Sequence, residues 1–141
     1  MIQRIQSIFL LLAAISFGLL FVVPLALSNT ATTQFLADKV YDISDHPVLL
    51  ALTIIGILLS VLALFSFRNR KKQLRTGYLI IVVAILLPVA AYLLFLNESA
   101  TAEPEEQAGM LLPAVAIVFT VVANFFIRKD EKLVKSMDRL R

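Results

Sequence analysis

Four long apolar runs alternate with short polar links along the chain. The runs cover residues 5–27, 48–67, 77–96 and 110–127, and none contains Asp, Glu, Lys, Arg or His. Each has about the length that a helix needs to cross roughly 30 Å of hydrocarbon. The strict alternation of a membrane-barrel strand is missing from all four. In lipid every backbone N–H and C=O must find its partner within the protein, which a helix achieves alone. The pattern therefore predicts an all-α polytopic membrane protein, a single membrane domain over residues 1–141 with four transmembrane helices.

Charge sorts the links into two kinds. The first link, 28–47, holds Asp38, Asp42, Asp45 and Lys39, and the third, 97–109, holds Glu98, Glu103, Glu105 and Glu106. The second link, 68–76, holds Arg68, Arg70, Lys71, Lys72 and Arg75 with no acid. The tail, 128–141, holds Arg128, Lys129, Lys132, Lys135, Arg139 and Arg141. With Arg4, the second link and the tail carry every Lys and Arg except Lys39. Short loops rich in Lys and Arg stay cytoplasmic. Both termini and the middle link are thus expected inside, and the two acidic links outside. A competing reading makes residues 5–27 a cleaved signal peptide, ending near Leu25-Ala26-Leu27-Ser28 and leaving three spans. The run is longer than such a peptide usually needs, and Pro24 sits late in it.

Composition agrees with lipid as the solvent. The chain is 60% hydrophobic and 16% charged, with a mean hydropathy of +0.89, against about 25% charged for a soluble domain. Cysteine is absent, which excludes disulfides, thiolate metal sites and a cysteine nucleophile. The pI near 9.5 follows from the inside charge bias and attraction to anionic headgroups, so no nucleic-acid partner is invoked.

The ends of the runs carry further signals. Leu133, Val134, Met137 and Leu140 form one apolar stripe and Lys132, Lys135 and Arg139 the opposite face, predicting a C-terminal amphipathic helix over 128–141. Such a helix either rests on inner headgroups or docks a partner. Phe35, Leu36, Val40 and Ile43 recur at helical spacing and predict a short helix on the outer surface. The third link reads as loose until Pro104-Glu105-Glu106, a favourable helix start for the fourth span. Phe67-Arg68-Asn69-Arg70-Lys71-Lys72 and Ile127-Arg128-Lys129-Asp130-Glu131-Lys132 close the second and fourth runs alike, as the inside charge bias acting twice produces without duplication.

Candidate chemistry is sparse. Asp42, Asp45 and His46 could supply oxygen and imidazole donors to a metal, but Asp45 or His46 as the cap of a helix starting at Pro47 explains them better. The loop glutamates lack the burial that general acid–base work requires. The spans carry no ionisable groups of the kind that mark ion paths. Ser16, Thr53, Ser60 and Thr120 can bond back to their own helices, whereas Asn124 calls for a neighbouring helix. Ala14 with Gly18, Gly56 with Ser60, and Ala116 with Thr120 and Asn124 are small-residue stripes suited to helix packing, within the bundle or at an interface. Pro88 and Pro113 fall inside runs and are expected to kink them, opening an outward-facing pocket.

At its two ends the chain resembles a known family. The opening Met1-Ile2-Gln3-Arg4-Ile5-Gln6-Ser7-Ile8-Phe9-Leu10 and the closing stretch from Ile127-Arg128-Lys129-Asp130-Glu131-Lys132 through Leu133-Val134-Lys135-Ser136-Met137-Asp138 to Arg139-Leu140-Arg141 carry the likeness, with the basic link from Phe67 to Arg75. They resemble the domain-of-unknown-function family four-two-nine-three, small four-span membrane proteins from Bacteroidota. The resemblance implies a Gram-negative inner membrane with the outer links in the periplasm. It brings no activity and no catalytic residues.

These readings converge on a small inner-membrane accessory or scaffold subunit with no catalysis, cofactor or metal of its own. Arg4, Arg68, Arg70, Lys71, Lys72, Arg75, Leu133, Met137 and Leu140 are its expected contacts with headgroups and with a membrane-protein partner or a second copy. The alternative is a binder or carrier of a lipid-like molecule in the pocket opened by Pro88 and Pro113.

Overall fold

The computed structural model describes residues 2–28, 40–98, 104–106 and 108–138. Four helices dominate: α1 (Ile2–Leu19), α2 (Pro47–Phe65), α3 (Arg70–Glu98) and α4 (Leu112–Asp138). Three short strands, β1 (Ala26–Ser28), β2 (Val40–Tyr41) and β3 (Pro104–Glu106), form one antiparallel sheet in the order β2-β1-β3. Each helix packs on the two that neighbour it around a ring, α1 on α2 and α4, and α3 on α2 and α4. The sheet ties the two acidic links together at one end of this bundle. The basic link and the end of α4 lie at the other.

Leu10, Phe17, Leu49, Ile80, Leu87 and Ile127 fill the bundle interior. Leu58, Leu62, Leu93, Val118 and Phe125 point away from it and are exposed. Apolar surface on that scale is suited to hydrocarbon rather than water. Pro47–Phe65, Arg70–Asn97 and Ala108–Val134 are long and apolar enough to cross a membrane. The apolar helical stretch of α1, Ile5–Leu19, is shorter.

Local chemistry sets the element ends. His46 is extended at the N-cap position of α2, without a side-chain cap bond, and Pro47 takes the first helical position. Its fixed φ suits that place and its missing N–H costs nothing there. Asn69 starts α3: its Oδ1 accepts the Lys72 N–H at 3.1 Å, and its carbonyl accepts the Gln73 N–H at 2.9 Å. Gln73, almost fully buried, donates Nε2 to the Ala63 carbonyl at 3.1 Å and staples the two helices beside their tight turn.

Several expectations are corrected. The first run is not one helix over 5–27: α1 ends at Leu19, residues 20–25 turn, and Ala26 and Leu27 join the sheet. Pro24 disfavours helix at the residue before it and offers no N–H, and Val22 and Val23 bond back to the Leu19 carbonyl at 3.0 Å. Val40 belongs to β2, paired with Leu27, so it is not part of a surface helix; Phe35 and Leu36 lie outside the described residues. Pro104, Glu105 and Glu106 do not start α4. They pair with Ser28, Leu27 and Ala26, because β1 otherwise leaves one edge open.

The regular helix of α4 begins at Leu112, after a 3-10 turn over Ala108–Leu111. Pro113 therefore sits in its first turn, where backbone N–H groups have no helical partner, and kinks nothing. Pro88 is inside α3. The tail is helical as far as Asp138 but is not a separate helix: it continues α4 without a break.

Two features seat the sheet on the bundle. The Tyr41 hydroxyl, fully buried, donates to the Ala91 carbonyl of α3 at 3.2 Å, and its ring meets Phe95 edge-on at 5.4 Å. Gly109 donates its N–H to the Pro24 carbonyl at 3.2 Å. A methyl group at Gly109 would collide with that carbonyl oxygen.

Candidate functional site

Chemically distinctive side chains gather at the basic end, where α3 and α4 run beyond the apolar core. Arg70 Nη2 of α3 reaches Asp130 Oδ2 of α4 at 3.0 Å, with both side chains mostly buried. Two turns further into the bundle along α3 lies Gly77. A side chain there would strike the Asn124 amide, so glycine makes the room that Asn124 occupies between the helices. Asn124 is 5% exposed, and neither its oxygen nor its nitrogen has a hydrogen-bond partner among the described residues. A buried amide left so is costly, on the order of 1–3 kcal/mol.

Asn124 lines a groove of about 200 Å³ with Tyr78, Ile81, Val121, Phe125 and Arg128. The Arg128 guanidinium sits 5.6 Å from the centre of the Tyr78 ring, a cation–π contact that holds it at the mouth. A wider hollow of about 430 Å³ adjoins it, lined by Phe125, Arg128, Lys129 and Lys132. The result is an apolar slot with a buried amide along its wall and three cations at its opening.

The other expected contacts are dispersed. Arg68 and Lys71, with Phe67, Asn69 and Arg70, border a separate open hollow at the α2–α3 turn. Lys72 and Arg75 are exposed on α3. Arg4 lies in α1. Leu133 is exposed on the end of α4; the Met137 side chain and Leu140 lie outside the described residues.

Among the packing positions, Gly56 takes the Phe17 ring: a Cβ there would lie 2.7 Å from Phe17 Cε1. Ser60 and Thr120 are fully buried, each donating to the carbonyl four residues back, at 2.8 and 2.7 Å. Gly18 is corrected, since a Cβ there would meet nothing within 4 Å and no helix closes on it. At the far end, Asp45 Oδ2 accepts the Asp42 N–H at 2.7 Å and so closes a turn. Among the described residues no three His, Asp or Glu gather closely enough to hold a metal.

The fold and this groove belong to a sequence whose residues 2–140 match one family profile, Domain of unknown function (DUF4293). The chain is a member of the DUF4293 family. No functionally curated protein and no solved structure matches it. The geometry of this DUF4293 protein therefore carries the functional argument. Sequence reasoning singled out Asn124 but missed Gly77 and Tyr78, which only the pairing of α3 with α4 brings to it. Gln73 and Asn69, read as parts of a basic link, are structural.

Proposed function

We propose that this DUF4293 protein is a four-span inner-membrane protein with both termini cytoplasmic, acting as a non-catalytic accessory or scaffold subunit of a larger membrane assembly. Segregation of the acidic links and the basic segments to opposite ends of the bundle supports the orientation. The 18 residues of α1 reach about 27 Å, and the turn after it brings the first run close to bilayer thickness.

The observation that carries the subunit reading is the unbroken α4. Its 27 residues reach about 40 Å, so its last turns stand beyond the core as a stiff arm. That arm carries Lys129 and Lys132 and the exposed Leu133, a surface suited to a membrane-protein partner at the cytoplasmic face. Affinity purification from native membranes tests this reading. A stoichiometric protein partner is expected, and changing Leu133, Met137 and Leu140 together to polar residues is expected to remove it. A protein that always purifies alone contradicts the subunit role.

A second reading, binding of a lipid-like molecule, is favoured by the groove beside Asn124. That groove lies at the basic end, so this reading places the pocket facing inward, whereas the sequence placed it outward. Pro113 in a first turn removes one of the two kinks that the outward version required.

A further inference from the structure

We propose that the groove between α3 and α4 binds one anionic glycerophospholipid, its phosphate held by Arg128, Lys129 and Lys132 and its glycerol-ester region by Asn124. The inference rests on the membrane placement proposed above and deepens the lipid-binding reading.

Three observations point to the same ligand. The slot walls, Tyr78, Ile81, Val121 and Phe125, are suited to acyl chain, and the adjoining hollow is cationic. A ligand filling both must be apolar at one end and anionic at the other. Arg128 is held over the Tyr78 ring, leaving a planar fork of donors for phosphate oxygens. Asn124 is four residues deeper on the same helix, about 6 Å along the axis. In a glycerophospholipid the ester carbonyls lie below the phosphate by a similar interval. They accept hydrogen bonds, and the Asn124 nitrogen has a donor with no partner among the described residues. Free phosphate would satisfy the cations and leave the amide and the slot unused. A neutral lipid would fill the slot and leave the cations without a counter-charge.

The test is native mass spectrometry of the full chain in mild detergent, with phosphatidylglycerol, phosphatidylcholine or inorganic phosphate added. One phosphatidylglycerol is expected to remain bound, in preference to phosphatidylcholine and undisplaced by phosphate. Arg128→Gln with Lys132→Gln, both on exposed positions, is expected to weaken retention about tenfold or more. Asn124→Leu is expected to weaken both lipids alike, because both present ester carbonyls. Equal retention of the two lipids by the unaltered protein overturns the proposal. So does retention indifferent to the Arg128/Lys132 pair, or displacement by phosphate alone. Carbonate extraction of the same membranes separates the two claims: protein that stays in the pellet keeps the membrane placement even where the lipid site fails.

Discussion

Two glycines show how different the demands on one residue type can be. A methyl group at Gly109 has nowhere to go, because the obstacle is the Pro24 backbone. Gly109→Ala is expected to destabilise the protein by about 1–3 kcal/mol, read as a lower melting midpoint in detergent. Gly18 has open space around it, and glycine in a helix is less favourable than alanine by at most about 1 kcal/mol. Gly18→Ala is expected to leave the midpoint unchanged or raise it slightly. The reverse order for the pair would mean that the sheet does not seat on the bundle as described. In the sequence nothing marked Gly109, and the small-residue spacing favoured Gly18. What separates them is a tertiary contact, the 3-10 turn against the Pro24 carbonyl. Asn124 was legible for a different reason: an amide inside an apolar run stands out whatever packs beside it. Its neighbour Gly77 was not, because a glycine at the start of an apolar run carries no sign of what it faces.

At the scale of elements, run length was a dependable guide for the second, third and fourth helices, since the apolar cores of α2, α3 and α4 fall within the expected runs. It failed over residues 20–27. A continuous apolar stretch reads the same as buried helix or buried strand, and Leu25 and Ala26 are buried as part of the sheet end. β3 was illegible because Pro-Glu-Glu has poor strand propensity and pairs only where β1 presents an edge. The continuity of α4 could not be read either, since an amphipathic tail has the same periodicity whether or not it is joined to the helix before it. The Arg70–Asp130 pair braces that continuation against α3. Such a pair adds only about 1 kcal/mol or less where water still reaches it. Asp130→Asn is accordingly expected to change global stability little while speeding amide exchange a few-fold over residues 128–138. Exchange over residues 80–95 should not change; a uniform rise along the chain would show the pair to be holding the whole bundle.

For the whole molecule, the absence of cysteine is an experimental advantage. Single cysteines can be placed on an otherwise unreactive chain. Ser44 and Lys71 are exposed at opposite ends of the bundle. With both termini inside, a membrane-impermeant thiol reagent applied to intact spheroplasts is expected to label Ser44→Cys and spare Lys71→Cys, with both labelled after lysis. The opposite pattern would invert the orientation, and labelling of both in intact cells would place neither end behind a membrane. The sheet at the acidic end also bears on how the protein is made. Its central strand, β1, is translated first, its β2 partner soon after, and β3 only once α3 has been completed. Until β3 has been made, β1 has one open edge. A chain stalled or cut after α2 would carry that edge permanently, an adhesive backbone by which a quality-control protease could tell an unfinished copy from a finished one.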